Sequence, residues 1–211
     1  MPPDTVLFRV RTALGRNADD PVPEPPPVRL RLPEVALESR IASFTARLEA
    51  LAGRVIRVPA PGAAREWVQQ AIEGQAAVAS NAPYLAECGI AGLSGVRSGI
   101  AGREELREAC ATVPVGITSA DYALADTGTL VMLSSAHEAR MISLLPPAHI
   151  AVVPVSRLLS GLDELFSVLP DPAAVTSSLV LITGPSRTAD IEQILVRGVH
   201  GPGQITVVLV G

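Results

Sequence analysis

Three stretches of this 211-residue chain gather side chains able to bind anions or move protons. The first, residues 116–129, brings Asp121 and Asp126 together with the hydroxyls of Thr118, Thr127 and Thr129. Two carboxyl groups serve as acid and base when their surroundings hold their pKa values apart. The same residues also read as plain structure, with Ser119 as a helix N-cap and Asp126 in an Asx turn where Gly128 supplies a positive φ. The second stretch, residues 140–149, offers Arg140 as a bidentate clamp for a carboxylate, the Ser143 hydroxyl, and His149 as a group that exchanges protons near neutral pH. A surface arginine and a hydrogen-bonded structural histidine are the competing reading. The third, residues 184–190, follows an apolar run and reads as the opening of a helix. Free N–H groups there, with Gly184, Ser186, Arg187 and Thr188, suit a carboxylate or phosphate. Alternatively Thr188 is simply the N-cap, and Asp190 and Glu192 complement the helix dipole.

Composition removes several other chemistries. All 17 basic residues are arginine, so lysine Schiff bases and P-loop lysines are excluded. Against 21 acids they leave a net charge of -4 with no basic block, the wrong balance for a nonspecific nucleic-acid binder. Cys88 and Cys110 form no CxxC cluster, and His137, His149 and His200 are scattered. The chain itself is therefore expected to hold no cofactor, neither zinc nor an iron-sulfur cluster. GxGxxG after a strand, GxSxG and HExxH are all missing. No apolar run reaches the ~18 residues of a membrane span and the N-terminus lacks a signal-peptide core, so a cytoplasmic location is expected.

The elements that must position these residues show in the periodicity. Residues 4–14 place Val6, Leu7, Val10 and Leu14 at helical spacing before Gly15, and the segment from Pro21 to Pro33, with six prolines, reads as a tether. Helical spacing recurs at 37–51, 62–73, 103–111, 162–168 and 188–197, with a short helical piece at 119–125. Strand-like apolar runs fall at 55–58, 76–80, 113–118, 129–133, 149–154, 179–183 and 205–210. The pattern predicts an amphipathic helix over 1–15, a proline-rich linker over 16–33 and one α/β domain over 34–211. That domain is a layered, mostly parallel sheet with helices on both faces. In such a sheet ligands bind at the carboxyl ends of the strands.

Three runs carry a resemblance to a known family: GITSADYALADTGTLVML at 116–133, SLLPPAHIAVVP at 143–154, and GPSRTADIEQILVRGVHGPGQITVVLV at 184–210. Together they resemble the LUD-domain family, in its lactate utilization protein C branch, over about residues 34–211 and including the N-terminal helix and linker. The resemblance implies a NagB/RpiA/CoA-transferase-like fold. It also implies a role in oxidising L-lactate to pyruvate with partner subunits that carry iron-sulfur clusters. Asp126 stands where the family more often has glutamate, one methylene longer. No catalytic residue comes with the resemblance. The chemical candidates therefore stay as read above: Asp121, Asp126 and His149 for proton transfer, and the hydroxyls, glycines and arginines of the three stretches for a small carboxylate or phosphate. Two other functions stay open, a noncatalytic assembly subunit docking through its tethered helix, and a stand-alone transferase or ligase for a phosphorylated or thioester substrate.

Overall fold

The computed structural model describes residues 3–17, 20–21, 34–188 and 196–211. Helix α1 (Pro3–Leu14) leaves Val6, Leu7, Phe8, Val10 and Leu14 exposed. Core structure begins with α2 (Leu37–Ala50), whose Ile41, Phe44 and Leu48 recur at helical intervals and are buried. It is followed by β1 (Arg54–Val58), α3 (Pro61–Ile72), β2 (Ala77–Ala79), α4 (Pro83–Glu87), β3 (Val96–Arg97), α5 (Arg103–Thr112) and β4 (Val115–Thr118). Proline opens both α3 and α4, where its missing N–H costs no intrahelical bond. The chain continues through β5 (Tyr122–Leu124), β6 (Thr129–Leu133), α6 (Arg140–Leu144), β7 (Ala148–Pro154), β8 (Leu158–Leu159) and α7 (Leu162–Val168). Helix α8 (Pro172–Val175) and strands β9 (Leu179–Ile182), β10 (Arg187–Thr188), β11 (Val196–Arg197) and β12 (Gln204–Val210) complete it.

Six strands form a parallel sheet in the order β1-β12-β7-β4-β2-β3. Strands β7 and β12 are runs rich in β-branched residues and buried on both faces, as the near-continuous apolar pattern requires. On one face Ile150, Val152, Val208 and Val210 pack against Ala64, Val68 and Ile72 of α3 and Leu85 of α4. The alternate residues Ala151, Val153, Val207 and Leu209 face the other way and meet α2. Farther along that second face, Val78 packs against Leu106, Ala109 and Cys110 of α5 and Ile142 of α6.

Two sequence expectations need correction. Residues 119–125 are not helical: β5 sits in a second sheet, β8-β5-β6-β9, with β5 and β9 antiparallel to β6. This sheet, with α2, covers part of the second face, and Leu165 of α7 closes it from outside against Leu124, Val131 and Leu159. An alanine-rich run has good helix propensity, but here Ala123 and Leu124 are buried on opposite sides of one strand, and pairing overrides propensity. The helix expected at 188–197 is also not formed at its ends. Arg187 pairs with Arg197 and Thr188 with Val196 in an antiparallel ladder; residues 189–195 lie outside the described residues.

One glycine sets how closely the layers approach. A Cβ on Gly116 of β4 would lie 2.0 Å from the Ile142 carbonyl oxygen, so the bare backbone is what lets α6 close on the sheet. Gly116→Ala is expected to destabilise the fold by about 1–3 kcal/mol through overpacking, measured by chemical denaturation. Deleting residues 1–33, whose described α1 side chains belong to none of the core clusters, is expected to leave a single cooperative melt close to that of the full chain.

Candidate functional site

Strands β2 and β4 are neighbours, yet their chains leave in opposite directions. After Ala79 the chain runs into α4 on one face of the sheet, and after Thr118 it runs into β5 on the other. Such a divergence marks a switch point at the carboxyl ends of the strands, the position where open α/β sheets usually offer a ligand crevice. Ser80 and Ser119, the first residues beyond the two strands, are buried there. Between them lies Glu138, carried in by the connection from β6 to α6. Ser80 Oγ donates to Glu138 Oε2 at 2.8 Å, and the Ser119 N–H donates to the same oxygen at 3.3 Å.

The connection is shaped by its own hydrogen bonds. Ser135 Oγ accepts from the N–H groups of His137 and Glu138, and the Asn81 N–H donates to the His137 carbonyl at 2.9 Å. Across the crevice, Arg157 follows β7 in a short 3-10 turn. Its Nη1 donates to Ser119 Oγ at 3.3 Å and to the Ala120 carbonyl at 3.1 Å, and its guanidinium lies 5.6 Å from the Tyr84 ring centroid. Asp121 Oδ2 accepts from the Leu133 N–H at 2.7 Å.

Burial dominates the electrostatics. Glu138 is 5% exposed, and its Oε1 is buried without a hydrogen-bond partner among the described residues. Desolvation pushes its carboxyl up to about 8, against the pull of Ser80 and the Ser119 N–H, with Asp121 adding to the rise. The group is therefore a neutral acid at pH 7 with an ionised minority, close to the poise that favours proton exchange. Asp121 is also raised, by burial first, while the Leu133 N–H and Arg157 work against the rise. Tyr84 is pushed up to about 12 by burial and then by Cys88, so its phenol stays protonated.

Of the residues singled out from sequence, Asp121 borders this crevice. Asp126 does not: it sits past the far end of β5, roughly 15 Å along the strand, exposed, accepting from Thr127 Oγ1 at 3.2 Å. The two aspartates are thus not an acid–base pair. Thr129 Oγ1 bonds Thr127 and Thr183, each at 2.8 Å, and Gly128 at φ 69 turns against Arg47 and Leu48 of α2. His149 is fully buried in β7 and shares a 2.7 Å hydrogen bond with Thr118 of β4. Burial pulls its imidazole down to about 4, so it is neutral.

The remaining candidates lie outside the crevice. Arg140 is exposed and donates to Ser178 Oγ at 3.2 Å, and Ser143 donates to the Arg140 carbonyl at 3.1 Å. Gly184, at φ 91, lies against Leu51, whose carbonyl accepts from Arg187 Nη2. Ser186 pairs through its backbone with Pro202 and Gly198, and Thr188 belongs to β10. Residues 184–188, on which an anion site at 184–190 relied, open no helix, and 189 and 190 lie outside the described residues.

Glu138 escaped the sequence reading. Its one signal is the pattern Ser135-x-x-Glu138 ahead of a short helix, which ordinarily marks a solvent-facing cap. Cys88 and Cys110 are each buried, and the described residues hold no group of three or more His, Cys, Asp or Glu able to bind an ion. Zinc and iron-sulfur centres need more ligands than these.

Comparison with known proteins adds relatives. A family model described as the LUD domain matches residues 41–210. Lactate utilization protein C of Halalkalibacterium halodurans is 44% identical over 103 residues, 47% of this chain and 45% of that protein. The protein of the same name from Bacillus subtilis is 41% identical over 113 residues, 52% of this chain and 47% of that one. The match thus spans about half the length of these relatives. A crystal structure of a DUF162 family protein from Deinococcus radiodurans has a TM-score of 0.63 at 19% identity, covering 84% of this chain and 99% of that one, a likeness of fold.

The buried carboxyl makes stability depend on pH. The native state keeps the Glu138 proton between its ordinary 4.5 and about 8 while the unfolded chain releases it, so Glu138 lowers stability as pH rises through that window. His149 acts in the opposite sense: its contribution is full above its ordinary 6.5 and is lost as pH falls toward about 4. Above about pH 6.5 the His149 contribution no longer changes with pH, while the Glu138 slope persists up to about 8. Glu138→Gln is expected to flatten the decline in Tm between about pH 6.5 and 8.5 and to raise Tm at the upper end. Thermal melts across that range check it, and an unchanged slope would assign the titration to another group.

Proposed function

The chain belongs to the LUD-domain family, and from that premise we propose that it is a subunit of a cytoplasmic L-lactate utilisation system, oxidising L-lactate to pyruvate alongside iron-sulfur partner subunits. The reading is carried by the 44% identity over 103 residues with a protein named lactate utilization protein C. The crevice gives it a chemical seat. Glu138 holds or returns a proton at Oε1, and Arg157, fixed by Ser119, Ala120 and Tyr84, supplies positive charge for a small carboxylate. Among the described residues no helix is long and apolar enough to cross a membrane. A noncatalytic assembly role is the second reading, favoured by the exposed apolar side chains of α1.

Both readings are separable in the source organism. Deleting the chain is expected to stop growth on L-lactate, and the full chain to restore it. Glu138→Gln is expected to lower lactate-dependent oxidation on the order of 100-fold, the lower range for a lost acid–base group, while the folded protein still co-purifies with iron-sulfur partners. Full rescue by Glu138→Gln would leave the assembly role standing, and unimpaired growth of the deletion strain would refute both.

A further inference from the structure

The connection that carries Glu138 has a second side. Between it, the end of β2 and the start of α5 lies a cavity of about 230 Å³. Leu106 of α5 with Met141 and Ile142 of α6 make its apolar wall, and the uncharged polar residues Asn81 and Ser135 line it as well. Its rim carries Arg103 and His137, both exposed. The neighbouring arginines are paired, Arg97 with Glu105 at 3.7 Å and Arg107 with Glu104 at 2.9 Å. The Arg103 guanidinium has no hydrogen-bond or ion-pair partner among the described residues. Asn81 fixes the facing rim, accepting from the Gly99 N–H at 2.7 Å and donating to the Ile100 carbonyl at 3.3 Å.

We propose that this cavity binds a short-chain monocarboxylate, with its alkyl chain among Leu106, Met141 and Ile142 and its carboxylate on Arg103 and His137. An unpaired guanidinium at the mouth selects an anionic head, and a neutral or cationic head gains nothing there. The apolar wall rejects a second charge deeper in, because a buried charge needs a partner and the wall offers none. Size sets the length. At ~30 Å³ for each water-sized group the space takes about eight non-hydrogen atoms, the size of hexanoate. Burying each further methylene multiplies affinity roughly four-fold until the chain meets the wall. The inference stands on this cavity and does not depend on the lactate reading, since lactate is too small to fill it.

The test is calorimetric titration of the full chain with sodium butanoate, hexanoate and decanoate, repeated with three variants. Wild type is expected to bind hexanoate saturably, roughly 16-fold more tightly than butanoate across two methylenes, and to bind decanoate more weakly. Arg103→Gln, at an exposed and unpaired position, is expected to weaken hexanoate about ten-fold or more with an unchanged melt. Ala136→Phe fills the cavity from an exposed loop position that lines it, and is expected to abolish binding. Met141→Ala enlarges the cavity and is expected to move the optimum to octanoate. The proposal is overturned by an absence of saturable hexanoate binding, by affinity that keeps climbing through decanoate, or by binding that survives Arg103→Gln unchanged. Each of these results leaves the growth phenotype on L-lactate untouched.

Discussion

The pairing of β12 between β1 and β7 is the interaction on which the rest depends. In the parallel sheet β1 has no other partner among the described residues: its five residues, Arg54 to Val58, align with Thr206 to Val210 of β12, and β12 aligns on its other edge with Ala148 to Pro154. The centre of the sheet is therefore complete only when the last strand is in place. Pairings this distant in sequence close late and slowly, because loop entropy is lost before contacts repay it. Once formed, the strip of Val152, Val153, Val207, Val208 and Leu209 is sealed on both faces by α3 on one side and α2 with the second sheet on the other. Farther along the sheet, the connections beyond β2 and β4 turn to opposite faces.

The crevice follows from that divergence, and its chemistry follows from burial. A carboxyl buried at the junction of two strand ends accepts two hydrogen bonds on Oε2 and, among the described residues, none on Oε1. Burying an ionised carboxylate without full pairing is costly. Neutralisation of the acid lowers that cost, and the same raised pKa places its proton exchange near neutrality. Arg157 stands on the opposite wall, tied to Ser119 and Ala120, so the positive charge is positioned without collapsing onto Glu138.

One connection serves two spaces. Residues 135–139 present Glu138 to the crevice, while Ser135, Ala136, His137 and Ala139 line the neighbouring cavity. Its backbone is pinned by Ser135 to the N–H groups of His137 and Glu138 and by Asn81 to the His137 carbonyl. Whatever occupies the cavity therefore rests on the backbone that aims Glu138, so the two sites share a wall and not merely a neighbourhood.

Local periodicity was enough to locate most of the framework. Ile41, Phe44 and Leu48 announce α2 by spacing alone, the β-branched runs at 149–154 and 205–210 announce buried parallel strands, and Gly128 at φ 69 matches its reading as a turn residue. These features are legible because a period of 3.6 or an unbroken apolar run is a property of the segment itself. The alanine-rich stretch at 119–125 and the paired ends at 187–188 and 196–197 are not legible in that way, since a short segment takes its state from the strand it meets. The candidate residues divide along the same line. Asp121 could be named from its type and neighbours, but whether Asp126 joined it depended on the direction of a strand that the spacing did not reveal. Glu138 was visible only as an ordinary capping pattern. Its burial between Ser80 and Ser119 was decided by tertiary structure, because desolvation and the meeting of two strand ends far apart in sequence exist only once the sheet has assembled.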